Sequence, residues 1–323
     1  MNRLKGKLYL LCAFSLAGTS VVSARFVTEK LGNFTITAVS LIFALVFLVP
    51  LCSRQLIQYF TQMSFRNFRL LVLQALCGIF LFRMFLLSGL HNTSAGEAGI
   101  LTGATPAITA ILAIAILREP VSGRKLSGII CTVTGVLVIQ GVMVPGSGLT
   151  LEHVGGNMLV LCAAACESAF NTFSRIFAVK ASTQSTMPSN PISQTTIVSA
   201  IALILCLIPA AFEHAMKRLA AIGLLEWMAL LWYGVFVTAL AFICWYAGIK
   251  RCGAFTAAAF SGMMPFTSML LSIILLGEKA DWRQWIGGVL VIIGMILIGS
   301  KGLNTISSVN KNTKMTEKER VTE

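Results

Sequence analysis

The sequence predicts an all-α polytopic membrane protein, with ten transmembrane helices arranged as two inverted five-helix repeats. Three observations carry this. Of 323 residues, 56% are hydrophobic and 11% charged, with a mean hydropathy of +0.84. A soluble domain carries about 25% charged residues, so much of this surface must face lipid. Apolar runs of about 20 residues, the length that spans a bilayer as a helix, recur along the chain. Finally, residues 89–141 recur without a gap as residues 248–300. A shift of 159 positions places Pro106 on Pro265, Glu119 on Glu278, Gly128 on Gly287 and Gly135 on Gly294. That offset exceeds the roughly 20–50 residue period of solenoids and fits a duplicated half-protein.

The apolar runs are helices because backbone groups in lipid must be satisfied within their own segment. They are too continuous for the alternating strands of a barrel. Arg3, Lys5 and Lys7 precede the first run, residues 8–27. Further spans follow it, so it reads as a retained helix and not a cleaved signal. Residues 34–52, 69–90, 95–117 and 125–143 complete the first repeat, residues 1–143. A Gly/Pro-rich link, residues 144–154, marks the boundary. The second repeat, residues 155–300, places helices at 155–179, 192–212, 224–249, 254–276 and 283–300. A Ser/Thr/Gln/Pro-rich connection, residues 180–191, separates its first two. Residues 301–323 are too polar to bury a core and read as a disordered cytoplasmic tail.

The first helices of the halves also correspond, at 150 positions: Gly6 with Gly156, Cys12 with Cys162 and Arg25 with Arg175. Five spans per half is an odd number, so the second half enters from the opposite side. With the N-terminus in the cytoplasm, one side of the membrane collects 18 of the 25 Lys and Arg and the other collects 7. The positive-inside bias then places both termini in the cytoplasm of a multi-pass protein of the cell membrane. The same bias accounts for the net charge of +13. The Lys and Arg sit in short loops and form no basic face, so nucleic acid is not a partner. The 9 Cys lie mostly within apolar runs without paired spacing and read as small packing residues. No cofactor is implied.

Each copy of the repeat holds an apolar run with one Pro, a short charged turn with a Glu, and then spaced Gly. These are Pro106, Arg118-Glu119-Pro120, Gly128 and Gly135, and Pro265, Gly277-Glu278-Lys279, Gly287 and Gly294. On these residues the chain resembles the EamA type of the drug/metabolite transporter superfamily, over residues 6–300. The resemblance implies ten helices, two inverted repeats around a central cavity, and transport of small metabolites, often the export of amino acids or related compounds.

Several polar residues inside the spans are candidates for that task. Arg83 lies in an apolar stretch about seven residues from its helix end, about 10 Å deep at 1.5 Å per residue. Such a residue faces the bundle interior and marks a pathway, or else snorkels to the headgroups. The interior reading implies an anionic or zwitterionic substrate, or an internal ion pair. Glu97, at the start of the fourth helix, is either a helix N-terminal acid or the partner of Arg83. Its repeat counterpart is Thr256. Glu167 lies mid-helix, with Asn171 and Ser174 continuing one polar face. Low dielectric penalises a charged carboxylate, and a carboxyl that exchanges a proton is what proton coupling needs. The alternative is a neutral Glu bonded to a neighbouring helix.

Thr19, between Ser15 and Ser23, belongs either to the site or to close helix packing. Trp245 and Tyr246 either line the cavity or form an interfacial belt. Pro106 and Pro265 remove a donor inside a span and are read as conformational kinks. Glu119 and Glu278 are read as turn residues neutralised by Arg118, Arg124, Lys279 and Arg283.

Together these residues describe a secondary transporter of a small metabolite, monomeric or homodimeric, in contact with membrane lipid. No Walker A sequence is present. His-Glu-x-x-His and Gly-x-Ser-x-Gly are also missing, and His91, His153 and His214 fall in predicted outer loops, so an enzyme is not expected. The alternative function is a non-transporting receptor or assembly subunit.

Overall fold

The computed structural model describes residues 2–61, 64–105, 107–109, 111, 123–139, 151–183, 190–252, 260 and 263–299. Pro106, Glu119, residues 140–150 and the tail from 300 onward lie outside the described residues. So do most of the predicted fourth helix beyond Thr105 and the start of the ninth.

Among the described residues the chain is helical and without strands. The helices are α1 (Asn2–Thr28), α2 (Asn33–Thr61), α3 (Phe65–Ala75), α4 (Phe82–Gly89), α5 (Ala95–Thr102), α6 (Gly123–Ile139) and α7 (Leu151–Thr183). They continue as α8 (Pro191–Phe212), α9 (Ala215–Ala220), α10 (Leu224–Trp232), α11 (Ala241–Cys252), α12 (Met263–Leu276) and α13 (Trp282–Gly299). Five described segments are long and apolar enough to cross a membrane: Leu4–Thr28, Asn33–Ser53, Phe65–Gly89, Pro191–Phe212 and Leu224–Gly248. Shorter apolar helices cover Leu126–Ile139, Met263–Leu276 and Trp282–Leu297. Several helices outrun their apolar cores: α1 starts at Asn2, α2 runs on to Thr61 and α7 takes in His153. Apolarity marks the lipid-facing part of a helix, whereas its end is set by capping and turn residues.

Two spans are not uniform. A π-helical segment, Leu76–Leu81, joins α3 to α4, and a second, Tyr233–Leu240, joins α10 to α11. The 159-residue shift carries the first onto residues 235–240, inside the second. Such segments widen a helix locally and are frequent at functional sites. Pro50 inside α2 and Pro209 inside α8 are related by the same shift. Pro265 lies in α12, and the two residues that precede Met263 are outside the described residues.

Helix α2 packs on α8, α5 on α12, and α6 on α13. Helix α1 packs along α10 and α11, as α7 packs along α3 and α4. Helix α1 also meets α12, as α7 meets α5. The contact of α6 with α13 uses the repeated glycines. A Cβ on Gly287 would lie 2.7 Å from the Gly135 carbonyl O, and one on Gly294 would lie 2.6 Å from the Gly128 carbonyl O. Small residues permit this backbone contact where lipid gives no hydrophobic drive between helices. Gly287→Val is therefore expected to cost about 1–3 kcal/mol by overpacking, read as a lower melting temperature of the purified protein in detergent.

Candidate functional site

Arg83 is the second residue of α4, directly after the first π segment, and it is 5% exposed. Its Nη1 donates to Ser40 Oγ at 2.7 Å, and its Nη2 donates to Thr238 Oγ1. Its guanidinium lies over the Tyr233 ring, 4.3 Å from the centroid. The two hydroxyls are oriented for this. Ser40 gives its own proton to the Thr37 carbonyl at 2.9 Å, and Thr238 gives its proton to the Tyr233 carbonyl at 2.8 Å. Each then turns lone pairs to Arg83. Tyr233 and Thr238 both belong to the second π segment, so that segment shapes the wall facing the cation. Every partner is neutral, and among the described residues no carboxylate pairs with Arg83. The Tyr233 hydroxyl is buried and has no hydrogen-bond partner among the described residues.

The pairing of Glu97 with Arg83 is not formed. Glu97 is turned to the end of the bundle where α1 finishes, here called the far end. Its Oε2 lies 3.0 Å from His153 Nε2 and 3.0 Å from Thr93 Oγ1. His153 is in α7 and not in a loop, which brings it over the start of α5. Glu97 is the third residue of α5, with its backbone N–H capped by Ser94 Oγ at 3.1 Å. A carboxylate there gains from the helix dipole, so both helix geometry and the imidazole hold it away from Arg83.

Glu167 meets the end of α5. Thr105 Oγ1 lies 2.9 Å from Glu167 Oε2 and 2.8 Å from the Thr102 carbonyl O. One hydroxyl proton serves one of these acceptors. A charged Glu167 takes it, whereas a neutral Glu167 donates its own proton while Thr105 turns to Thr102. One turn on, the Phe170 ring fills the space beside Gly78 of the first π segment, 2.3 Å from where a Cβ would stand. Phe170 also contacts Phe242 at 5.8 Å and Trp245 at 6.1 Å, and Trp245 contacts Tyr246 at 4.8 Å. Phe242 is the 159-shift counterpart of Arg83. Where one half holds a cation, the other holds an aromatic ring.

Three further predicted residues lie on α1 and α7. Thr19 accepts from Trp232 Nε1 at 2.9 Å, linking α1 to α10. Ser174 donates to Gln74 Oε1 at 3.3 Å, which also accepts from Gln194 Nε2 at 2.8 Å. Asn171 is partly exposed on the same helix. Sequence reasoning missed Ser40, Gln74, Thr105, Gln194 and Thr238. Gln74 and Gln194 stand out as amides within apolar runs. Single hydroxyls do not, being common in spans.

The far end is clasped by side chains from distant segments. Glu278 accepts the N–H of Ala95 at 2.9 Å and of Gly96 at 3.0 Å, capping α5. Glu213 does the same for α2 through Phe34 at 3.1 Å and Thr35 at 2.8 Å. Glu278 is thus not neutralised by Arg283, which pairs with Asp281 at 2.5 Å and holds that carboxyl below its ordinary range. Lys30 pairs with Glu226, and Arg25 Nη1 donates to the Leu90 carbonyl O at 2.5 Å.

The EamA-like transporter family model matches residues 4–141 and 154–300. The chain belongs to the EamA-like transporter family. This EamA-like protein is 29% identical to the uncharacterized transporter YetK of Bacillus subtilis (strain 168), over 89% of this chain and 84% of that one. It is 24% identical to the aromatic amino acid exporter YddG of Ancylobacter novellus, over 71% and 73%. It is 26% identical to a probable amino-acid metabolite efflux pump of Salmonella typhimurium (strain LT2), over 63% and 67%. A solved crystal structure aligns with a TM-score of 0.57 over 90% of this chain and 95% of that one, at 20% identity, and so shares the fold. Family membership makes this EamA-like chain a multi-pass membrane transporter with a small-molecule substrate.

Proposed function

We propose that the protein is a secondary transporter exporting an amino-acid-like metabolite, zwitterionic or anionic, across the cell membrane. The single observation that carries this reading is Arg83, a buried cation bonded only to neutral groups among the described residues. A charge in a span is costly, and this one keeps its electrostatic demand unmet. A substrate carboxylate meets it. The relatives named for amino acid export support the direction and the substrate class. Glu167 is the proton-coupling carboxyl, with Thr105 as the hydroxyl that serves either protonation state. Thr19, Asn171, Ser174, Trp245 and Tyr246 complete the lining, and Pro106 and Pro265 are conformational.

The halves, residues 1–143 and 155–300, are two inverted five-helix repeats joined by residues 144–154, with both termini and the tail from 301 in the cytoplasm. The matched packing of α2 on α8, α5 on α12 and α6 on α13 supports this two-fold arrangement. So do the π segments related by the 159-residue shift. In inverted-repeat transporters the site lies near the midplane at the repeat interface, where helices are irregular. Arg83, two residues past the first π segment and bonded to Thr238 of the second, is consistent with such a site.

A counterflow screen in proteoliposomes tests the reading. Amino acids and 2-oxo acids are compared with their amides and with the corresponding amines. Exchange is expected only for compounds with a free carboxylate. Equal exchange of the amides, or of the amines alone, would contradict it.

A further inference from the structure

Away from Arg83, a cavity of about 430 Å³ opens at the far end between the corner joining α4 to α5, the start of α7 and the end of α1. Arg25, His91, His153 and Glu278 contribute to its wall. We propose that this cavity is a second, carboxylate-binding station, recognised by Arg25, His91 and His153. Its role as a relay for departing substrate rests on the carboxylate reading above, but its anion chemistry does not.

The cavity offers donors and few free acceptors. Glu278, the carboxylate in its wall, has both oxygens committed to the Ala95 and Gly96 amides. Arg25 spends Nη1 on Leu90 and faces the exposed Glu29 at 3.6 Å with Nη2, leaving further N–H groups of its five. His91 is exposed and makes no hydrogen bond among the described residues. His153 is the informative member. Its Nδ1 lies 3.2 Å from the Asn92 carbonyl O, and its Nε2 lies 3.0 Å from the Glu97 carboxylate. Both of these atoms accept only. A neutral imidazole offers one N–H, so one nitrogen would point a lone pair at an oxygen. The imidazolium satisfies both sides. The arrangement therefore suits a charged His153, held by buried Glu97, that spends both N–H groups and leaves the ring to act on an anion in the cavity by its charge.

Among the described residues His153 meets Glu97 and Asn92, and it shares the cavity wall with His91, Arg25 and Glu278.

The chain has 3 His, so imidazole-labelled full-length protein in nanodiscs gives three assignable NMR signals. Propionate is the probe and propionamide its uncharged control. At pH 6 propionate is expected to shift the His91 and His153 signals saturably and leave His214 unmoved. In Arg25→Gln at the same pH, half-saturation should need about 10-fold more propionate, the scale of one charge-assisted hydrogen bond. Arg83→Met should keep these shifts, which separates this station from the transport site. Equal shifts with propionamide, equal movement of His214, or no saturable shift would overturn the proposal. Loss of the shifts in folded Arg83→Met would assign propionate to the deeper site and overturn it as well.

Discussion

Arg83→Met should transport about 10–100-fold more slowly than the wild type, since a hydrogen bond to a charged group contributes about 1.5–3 kcal/mol. The same substitution should not weaken the fold. Arg83 is buried and lacks a counter-charge among the described residues, and replacing buried charge with an apolar side chain of similar volume is often neutral or stabilising. Melting temperature and transport should therefore move independently. Transport falls while the thermal midpoint stays level or rises. Arg83→Lys should retain part of the activity, because it keeps the charge but loses the fork that reaches Ser40 and Thr238 together. A parallel fall in stability and transport would mean that Arg83 is a structural post of the α2–α4–α10 junction and not a substrate ligand.

Glu167→Gln is expected to separate exchange from accumulation. The amide can accept from Thr105 as the carboxylate does, so local packing is preserved. It cannot release a proton. Counterflow, which needs only substrate on both sides, should persist within a few-fold. Accumulation driven by a pH gradient should be lost, and the dependence of transport on pH should flatten. A Glu167→Gln protein that still accumulates substrate when an acid-to-neutral gradient is imposed would remove this residue from the coupling mechanism.

The span pattern and the 159-residue repeat were legible in the sequence, because lipid imposes both a length and an apolarity on every crossing. The glycines were legible as shared features, and they stand where α6 and α13 approach most closely. Arg83 was legible because a cation in an apolar run has few explanations. Its partners were not. Ser40 and Thr238 are ordinary span hydroxyls until three helices bring them to one guanidinium. Glu97 shows the limit of pairing charges by proximity along the chain. It shares a helical hairpin with Arg83, but the turn at Ser94 directs it to the far end, where His153 arrives from the other half. The π segments gave no signal in composition. Pro50 and Pro209, outside the repeated window, were not singled out in the sequence, although both lie within their helices.

The central claim is that Arg83 reads a carboxylate, and a paired comparison tests it most directly. An exchanged amino acid and its amide are each used to compete for uptake into proteoliposomes, with wild type and with Arg83→Met. The expected result is that wild type prefers the carboxylate strongly and Arg83→Met loses that preference, the coupling that a double-mutant cycle isolates. If Arg83→Met keeps the full preference for the carboxylate over the amide, Arg83 does not bind it, and the substrate's charge is recognised elsewhere.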